Sequence, residues 1–231
     1  MPESAESADF DALIFDLDGV LVDSEIWWDD VRRDWAAAHD RSWTAADRAA
    51  VMGANSAAWA RIMQSRLHLP AIDPATIERT VVDAVVARYE HEGAPVIYGA
   101  TSAVHRLAAR YRLGLASSAH RDVIASALAA TGLVDAFRAV VSSDEVAHGK
   151  PAPDVYLEAA RRLGVAPGGC LVIEDSLNGV RAGRAAGMTV VLVPNGAVPP
   201  LPEAFDLADI VLERLSDLEP RAIGGRLHDR G

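Results

Sequence analysis

The chain has 231 residues, enough for one large domain or for a core domain carrying a smaller insert. Half of it is apolar, as in a packed globular protein, and no apolar run is long enough to cross a bilayer. With 33 acidic against 22 basic residues the formal net charge is -11, which argues against nucleic acid or an anionic membrane as the main partner; an anionic substrate would need a local positive site to overcome that field. The opening MPESAESAD has no basic segment followed by an apolar one, so no secretory signal is expected. A single cysteine, Cys170, cannot form an internal disulfide, and both features fit a cytoplasmic protein. A monomer or small homo-oligomer is expected.

The first strand is expected over 12–15, an apolar run that ends at Asp16. From about 24 to 91 the pattern turns helical, with segments at 25–38, 44–52, 56–67 and 74–92 and breaks near Asp40, Gly53 and Pro70. At Gly93-Ala94-Pro95 the composition changes. Helices at 101–110, 120–131, 153–163 and 177–186 then alternate with short apolar strands at 113–116, 139–142, 170–173 and 189–193. Strands separated by single helices predict an α/β fold with a doubly wound parallel sheet and helices on both faces. The helical block becomes an insertion after the first strand, dividing the chain into a core of 1–20 and 97–231 and an inserted domain of 21–96. Residues 1–8 and about 221–231 are expected to be tail-like.

In such a sheet the ligand site lies beyond the carboxyl ends of the strands. Four loops meet there, each with polar residues directly after an apolar strand: Asp16 to Gly19, Ser117 to His120, Ser142 to Lys150, and Glu174 to Asn178. The clustered carboxylates of Asp16, Asp18, Glu174 and Asp175 repel one another. A hard cation with oxygen ligands, most simply Mg2+, relieves that repulsion and takes phosphate oxygens as further ligands. Asp16 then suits a nucleophile attacking phosphorus, and Asp18, two residues on, faces the same side and suits the acid and base. Gly19 allows a tight turn. Ser117, with Ser118 beside it, can bind a phosphoryl oxygen, and Lys150, the one lysine of the chain, can offset negative charge where a compact ammonium fits best.

Each feature alone has a plainer reading. Two aspartates at a strand end can cap a turn, Ser117-Ser118 can start a helix, Lys150 can be a solvated loop cation, and Glu174-Asp175 can be the acidic start of a helix. Their order and shared strand-end placement favour a site. The seven histidines show no zinc-like spacing, and Cys170 reads as a small apolar filler. Gly179, Gly183 and Gly187 recur every four residues, which reads as helix packing on the sheet. All five tryptophans lie in the insert, with Trp27 or Trp28 the better candidates to face a substrate.

The stretches IFDLDGVLVDSE, LASSAHRD, HGKPAPDVYLEAARRLGV and VIEDSLNGVRAG resemble, in order, the four motifs of haloacid dehalogenase superfamily phosphatases, closest to the β-phosphoglucomutase-like subfamily. The resemblance implies a Rossmann-like core, a four-helix cap and Mg2+-dependent phosphoryl transfer. It makes Asp16 the nucleophile, Asp18 the acid/base, Ser117 the phosphate donor group and Lys150 the stabilising cation. Metal ligands would be Asp16, the carbonyl of Asp18 and Asp175, with Glu174 as a ligand or its support. Similarity to the mutase itself would require a histidine near 28, an arginine near 56 and a Ser-Lys pair near 119 and 120, where this chain has Trp28, Ser56, Ala119 and His120. Hydrolysis of a small phosphorylated, sugar-phosphate-like metabolite is therefore expected over mutase chemistry, with a non-catalytic binding module as the reading from another class. Cap specificity would come from Gly53-Ala54-Asn55-Ser56, with Asn55 and Ser56 meeting substrate, and from the helix bearing Trp28 and Arg32.

Overall fold

The computed structural model describes residues 10–52 and 54–223. Strand β1 (Ala12–Phe15) is apolar and fully buried at every position, as a central strand covered on both faces must be. The chain then leaves the sheet for four helices, α1 (Glu25–Ala38), α2 (Ala45–Val51), α3 (Ser56–Arg66) and α4 (Pro74–Glu92). Their starts follow local chemistry. Thr44 and Asp47 form a reciprocal capping box on α2, the Asn55 side chain accepts the N–H of Ala58 on α3, and Asp73 accepts the N–H of Ala75 with Pro74 at the first turn of α4. Helix α5 (Ala100–Ala108) returns the chain to the sheet. There follow β2 (Arg112–Ser117), α6 (Arg121–Thr131), β3 (Ala139–Ser142), α7 (Asp154–Leu163), β4 (Cys170–Glu174), α8 (Leu177–Ala185), β5 (Thr189–Leu192), α9 (Pro202–Leu207) and β6 (Ile210–Val211).

The six strands are parallel in the order β3-β2-β1-β4-β5-β6. Successive connections build outward from β1 on one side and then reverse, so the switch falls between β1 and β4. Side chains alternate between two cores. Leu13 and Phe15 join one that continues into the helical insert through Trp28, Trp59 and Met63, while Ala12 and Ile14 join the other beneath α7 and α8. The insert is therefore tied to the sheet by apolar packing on one face only.

The two segments that leave and re-enter the core pair with each other. Val22 bridges Val96, the Asp23 N–H donates to the Pro95 carbonyl at 2.8 Å, and the Ile97 N–H donates to the Leu21 carbonyl at 3.0 Å. Helix α9 and the two-residue β6 were not expected from the sequence, because the first follows a proline-rich stretch and the second is too short to show a period. Residues 220–223 are helical and Ile223 is buried, so the expected tail from 221 is wrong for its first three residues. The tail expected over 1–8, Gly53 and residues 224–231 lie outside the described residues.

Candidate active site

Asp16 follows β1 directly, and its N–H donates to the carbonyl of Ile173 at 2.9 Å, which locks the end of β1 to the end of β4. This register puts Asp16 beside Glu174 and Asp175 at the switch point. A carboxylate oxygen from each of the three lies within 4.8 Å of the others. Lys150 reaches in from the far end of the loop after β3. Its ammonium donates to Asp16 Oδ1 at 2.7 Å, to Glu174 Oε1 at 2.5 Å and to the Ala116 carbonyl at 3.1 Å, and it lies over the Tyr156 ring at 4.8 Å. Its three protons are thus all used.

Glu174 is fully engaged as well. Oε1 accepts from Lys150 and from the Tyr156 hydroxyl at 2.7 Å, while Oε2 accepts from the N–H groups of Asp175 and Ser176 and from the Ser176 hydroxyl. Burial works against its charge, but the Lys150 charge and these hydrogen bonds outweigh it and hold Glu174 below the ordinary carboxylate range. Asp16, Asp18 and Asp175 go the other way. Burial raises all three, and for Asp16 and Asp175 the neighbouring carboxylates add to the rise, against a partial offset from Lys150. Asp18 is also held by the Ser24 hydroxyl, which donates to it.

Two glycines shape this cluster. Gly19 has φ +81, and a Cβ there would lie 1.8 Å from Asp175 Oδ2, so the tight turn and the close carboxylate both require glycine. A Cβ on Gly179 would lie 1.8 Å from the Glu174 carboxyl group. The packing expected of the glycine series therefore holds for Gly183, which abuts Val190 and Val172. Gly179 instead makes room for an acidic side chain, and Gly187 serves a turn at φ +73 with open space beside it.

Above the cluster lies a cavity of about 510 Å3 between the strand ends and the insert. Asp16, Asp18, Ser117, Ser118, Lys150 and Asp175 line its floor, and Trp28, Arg32 and Trp59 form part of its roof. Ser117 is buried, and its hydroxyl oxygen accepts the Ala119 N–H at 3.0 Å. The predicted floor residues are thus brought together. The roof differs from expectation. Asn55 and Ser56 do not line the cavity: the Asn55 side-chain amide oxygen caps α3 and Ser56 is sealed in the first turn of that helix; their neighbour Ala54 lines it instead. Trp27 packs edge-on against Tyr89, away from the cavity, leaving the role to Trp28 and to Trp59, which sequence reasoning did not single out. Glu25 was missed too, although it shares a face with Trp28 and Arg32 at helical spacing. Cys170 is buried in β4 with its thiol pushed up to about 11 by burial, consistent with a filler. His120 meets Glu78 and Asp144 where the insert crosses the core, a grouping that histidine spacing alone did not show.

Clustered carboxylates around one buried ammonium, at the switch point of a doubly wound sheet beneath a helical insert, define a hydrolase with a Rossmann-like core and a cap. Residues 10–187 match the model of the haloacid dehalogenase-like hydrolases, and the chain belongs to that family. It is 33% identical over 219 residues to hexitol phosphatase B of Escherichia coli (strain K12), covering 93% of this chain and 96% of that protein. The fold matches CbbY from Rhodobacter sphaeroides, solved in complex with phosphate, at a TM-score of 0.81 and 25% identity over 94% of this chain and 99% of that one. A β-phosphoglucomutase from Clostridium difficile shares the fold at a TM-score of 0.80 and 22% identity, over 96% and 98% of the two chains. Among the described residues no helix is long and apolar enough to cross a membrane.

Proposed function

We propose that the chain is a Mg2+-dependent phosphatase that hydrolyses a small, sugar-phosphate-like monoester through an aspartyl phosphate on Asp16. The observation that carries this reading is the position of Asp16, with Oδ1 held by Lys150 and Oδ2 free of protein hydrogen bonds among the described residues, on the floor of the cavity between the strand ends and the insert. Similarity to a hexitol phosphatase over nearly the whole chain supports the substrate class.

The residues present fit a magnesium ion. Asp16 and Asp175 are raised by burial and by neighbouring carboxylates, which is the state a cation would relieve, and glycine at 19 leaves Asp175 the space to approach the chain turn after Asp18. Asp16, Asp175 and the carbonyl of Asp18 would hold it. Glu174, saturated by five donors, would instead fix Lys150 and the loop. Bound there, the ion would neutralise phosphoryl charge and orient the ester.

Asp16 attacks phosphorus as the bond to the ester oxygen breaks. Asp18, whose carboxyl is raised by burial and held by the Ser24 hydroxyl, delivers a proton to the leaving alkoxide. Asp18 then takes a proton from the water that attacks the phosphoryl group, and cleavage of the bond to Asp16 releases phosphate. Lys150 steadies Asp16 and the transferring charge, and Ser117 and Ser118 donate to phosphoryl oxygens. The cap, residues 21–96, would open about the paired segments at Leu21–Asp23 and Pro95–Ile97 and close to exclude bulk water. The mutase reading is not favoured by the cavity lining, where Trp28 in the roof and Ala119 beside the floor serines stand at positions for which that resemblance would call for polar groups. Phosphate release from a panel of small esters, with Mg2+ or EDTA, tests the proposal; release that ignores the metal, or none from any ester, would refute it.

A further inference from the structure

Arg32 is a buried charge that the catalytic floor does not use. It is 7% exposed, lies in the cavity roof, and its Nε has no hydrogen-bond partner among the described residues. An orphaned buried donor on a charged group is costly, so something outside the chain is expected to complete it. The guanidinium is held in place for that task. Its Cζ lies 4.9 Å from the Trp28 ring centroid and 5.1 Å from that of Trp59, so two indoles pack against it and leave its edge N–H groups to reach a ligand.

Glu25 lines the same cavity one and two turns before Trp28 and Arg32 on the same face of α1. Burial and the Asp18 charge push its carboxyl up to about 7, and Arg32 draws it down. A guanidinium that only donates and a carboxyl group that accepts therefore share one wall. Lining side chains count against a second anion there: Lys150 and Arg32 are the cations, and Asp16, Asp18, Glu25 and Asp175 are the carboxylates. Lys150 is already committed to Asp16 and Glu174. One remaining guanidinium beside Glu25 suits groups that both donate and accept, and those are hydroxyls.

Building on the phosphatase reading above, we propose that Arg32, clamped by Trp28 and Trp59 and assisted by Glu25, is the specificity-determining residue that reads the uncharged, hydroxyl-bearing end of a monophosphate ester. Phosphate binds at the floor and the hydroxylated tail at the roof, so esters with a second phosphate or a carboxylate are discriminated against.

The test is steady-state kinetics with Mg2+ on glucitol 6-phosphate, fructose 1,6-bisphosphate, 3-phosphoglycerate and p-nitrophenyl phosphate, which lacks tail hydroxyls, for wild type, Arg32→Met and Arg32→Lys. Methionine keeps an unbranched apolar stem against the indoles. The wild type should prefer glucitol 6-phosphate over the bisphosphate and the phosphocarboxylate by tenfold or more in kcat/KM. Arg32→Met should lose at least tenfold more on glucitol 6-phosphate than on p-nitrophenyl phosphate, chiefly through KM, and Arg32→Lys should recover part of that difference. Equal losses on both esters would make Arg32 merely structural, and a wild-type preference for the bisphosphate or the phosphocarboxylate that Arg32→Met removes would make it an anion site; either overturns the proposal. Should no ester be hydrolysed, the phosphatase reading fails, and calorimetric titration of glucitol 6-phosphate into Asp16→Asn with and without Arg32→Met still decides the matter. Tenfold weaker binding in the double variant supports the Arg32 assignment, and equal affinity overturns it.

Discussion

The floor and the roof of the cavity are built on opposite terms. On the floor Lys150 is fully partnered: its three protons go to Asp16, Glu174 and a carbonyl, and Glu174 in turn accepts from five donors. In the roof, Arg32 Nε has no hydrogen-bond partner among the described residues, and the tryptophans of α1 and α3 pack against the guanidinium with Glu25 on the same wall. A Lys150–Glu174 pair already satisfied by its own chain pre-organises the floor for one reaction, whereas a roof with an unmet donor is shaped by what enters. Strand ends fix the first, and helices that pack on the sheet through one apolar face carry the second.

The sharpest way to break this contrast is at the floor. Asp16→Asn should remove turnover by ~10^4-fold or more, because the amide does not attack phosphorus and carries no charge to balance Lys150. Chelation of the metal should have a comparable effect on phosphate release, reversed by added Mg2+. Lys150→Met should cost roughly 10^2- to 10^3-fold in kcat and, by stranding the buried Glu174 charge, about 3–5 kcal/mol in urea unfolding. Lys150→Arg should not restore activity, since a fork of five donors does not fit a place with three acceptors. Gly179→Ala tests the floor's packing: its methyl group falls on the Glu174 carboxyl group, and a loss of about 1–3 kcal/mol with reduced kcat is expected.

The smallest effect is a slope with pH that floor and roof share. Burial raises Asp18, Glu25 and Asp175, so the folded, metal-free protein keeps protons that the unfolded chain has released. The stability they contribute is fully present below the ordinary carboxylate range and is lost as pH rises, through about 7 in the case of Glu25. Thermal unfolding in EDTA should therefore show a falling midpoint over that window. Added Mg2+ should flatten the fall, and Glu25→Gln should remove its upper part; a midpoint that rises with pH in EDTA would contradict the account.

The floor was legible in the sequence because its residues lie at the end of a short apolar strand or, as with Lys150, in the loop that follows one. Strand identity fixes the end, and the switch-point rule brings the ends together, so Asp16, Ser117, Lys150 and Asp175 follow from chain order alone. Much of the roof was not legible. A helix pattern shows which residues share a face but not which way that face turns, so Glu25 and Trp59 became visible only once α1 and α3 were packed. Asn55 misled for a related reason: a polar residue before a helix caps it as readily as it meets a ligand. The service Gly179 gives to Glu174 was hidden as well, since glycine spacing tells of close approach and not of what approaches.

The central claim is that Asp16 carries the phosphoryl group, and the most direct measurement is to trap it. Enzyme turning over a sugar-phosphate-like ester with Mg2+ would be quenched in acid and reduced with borohydride, which converts an aspartyl phosphate to homoserine, and the tryptic peptides weighed. Homoserine at position 16, dependent on substrate and metal, is the predicted result. Sustained turnover with Asp16 unmodified, or the label on another carboxylate, would contradict it.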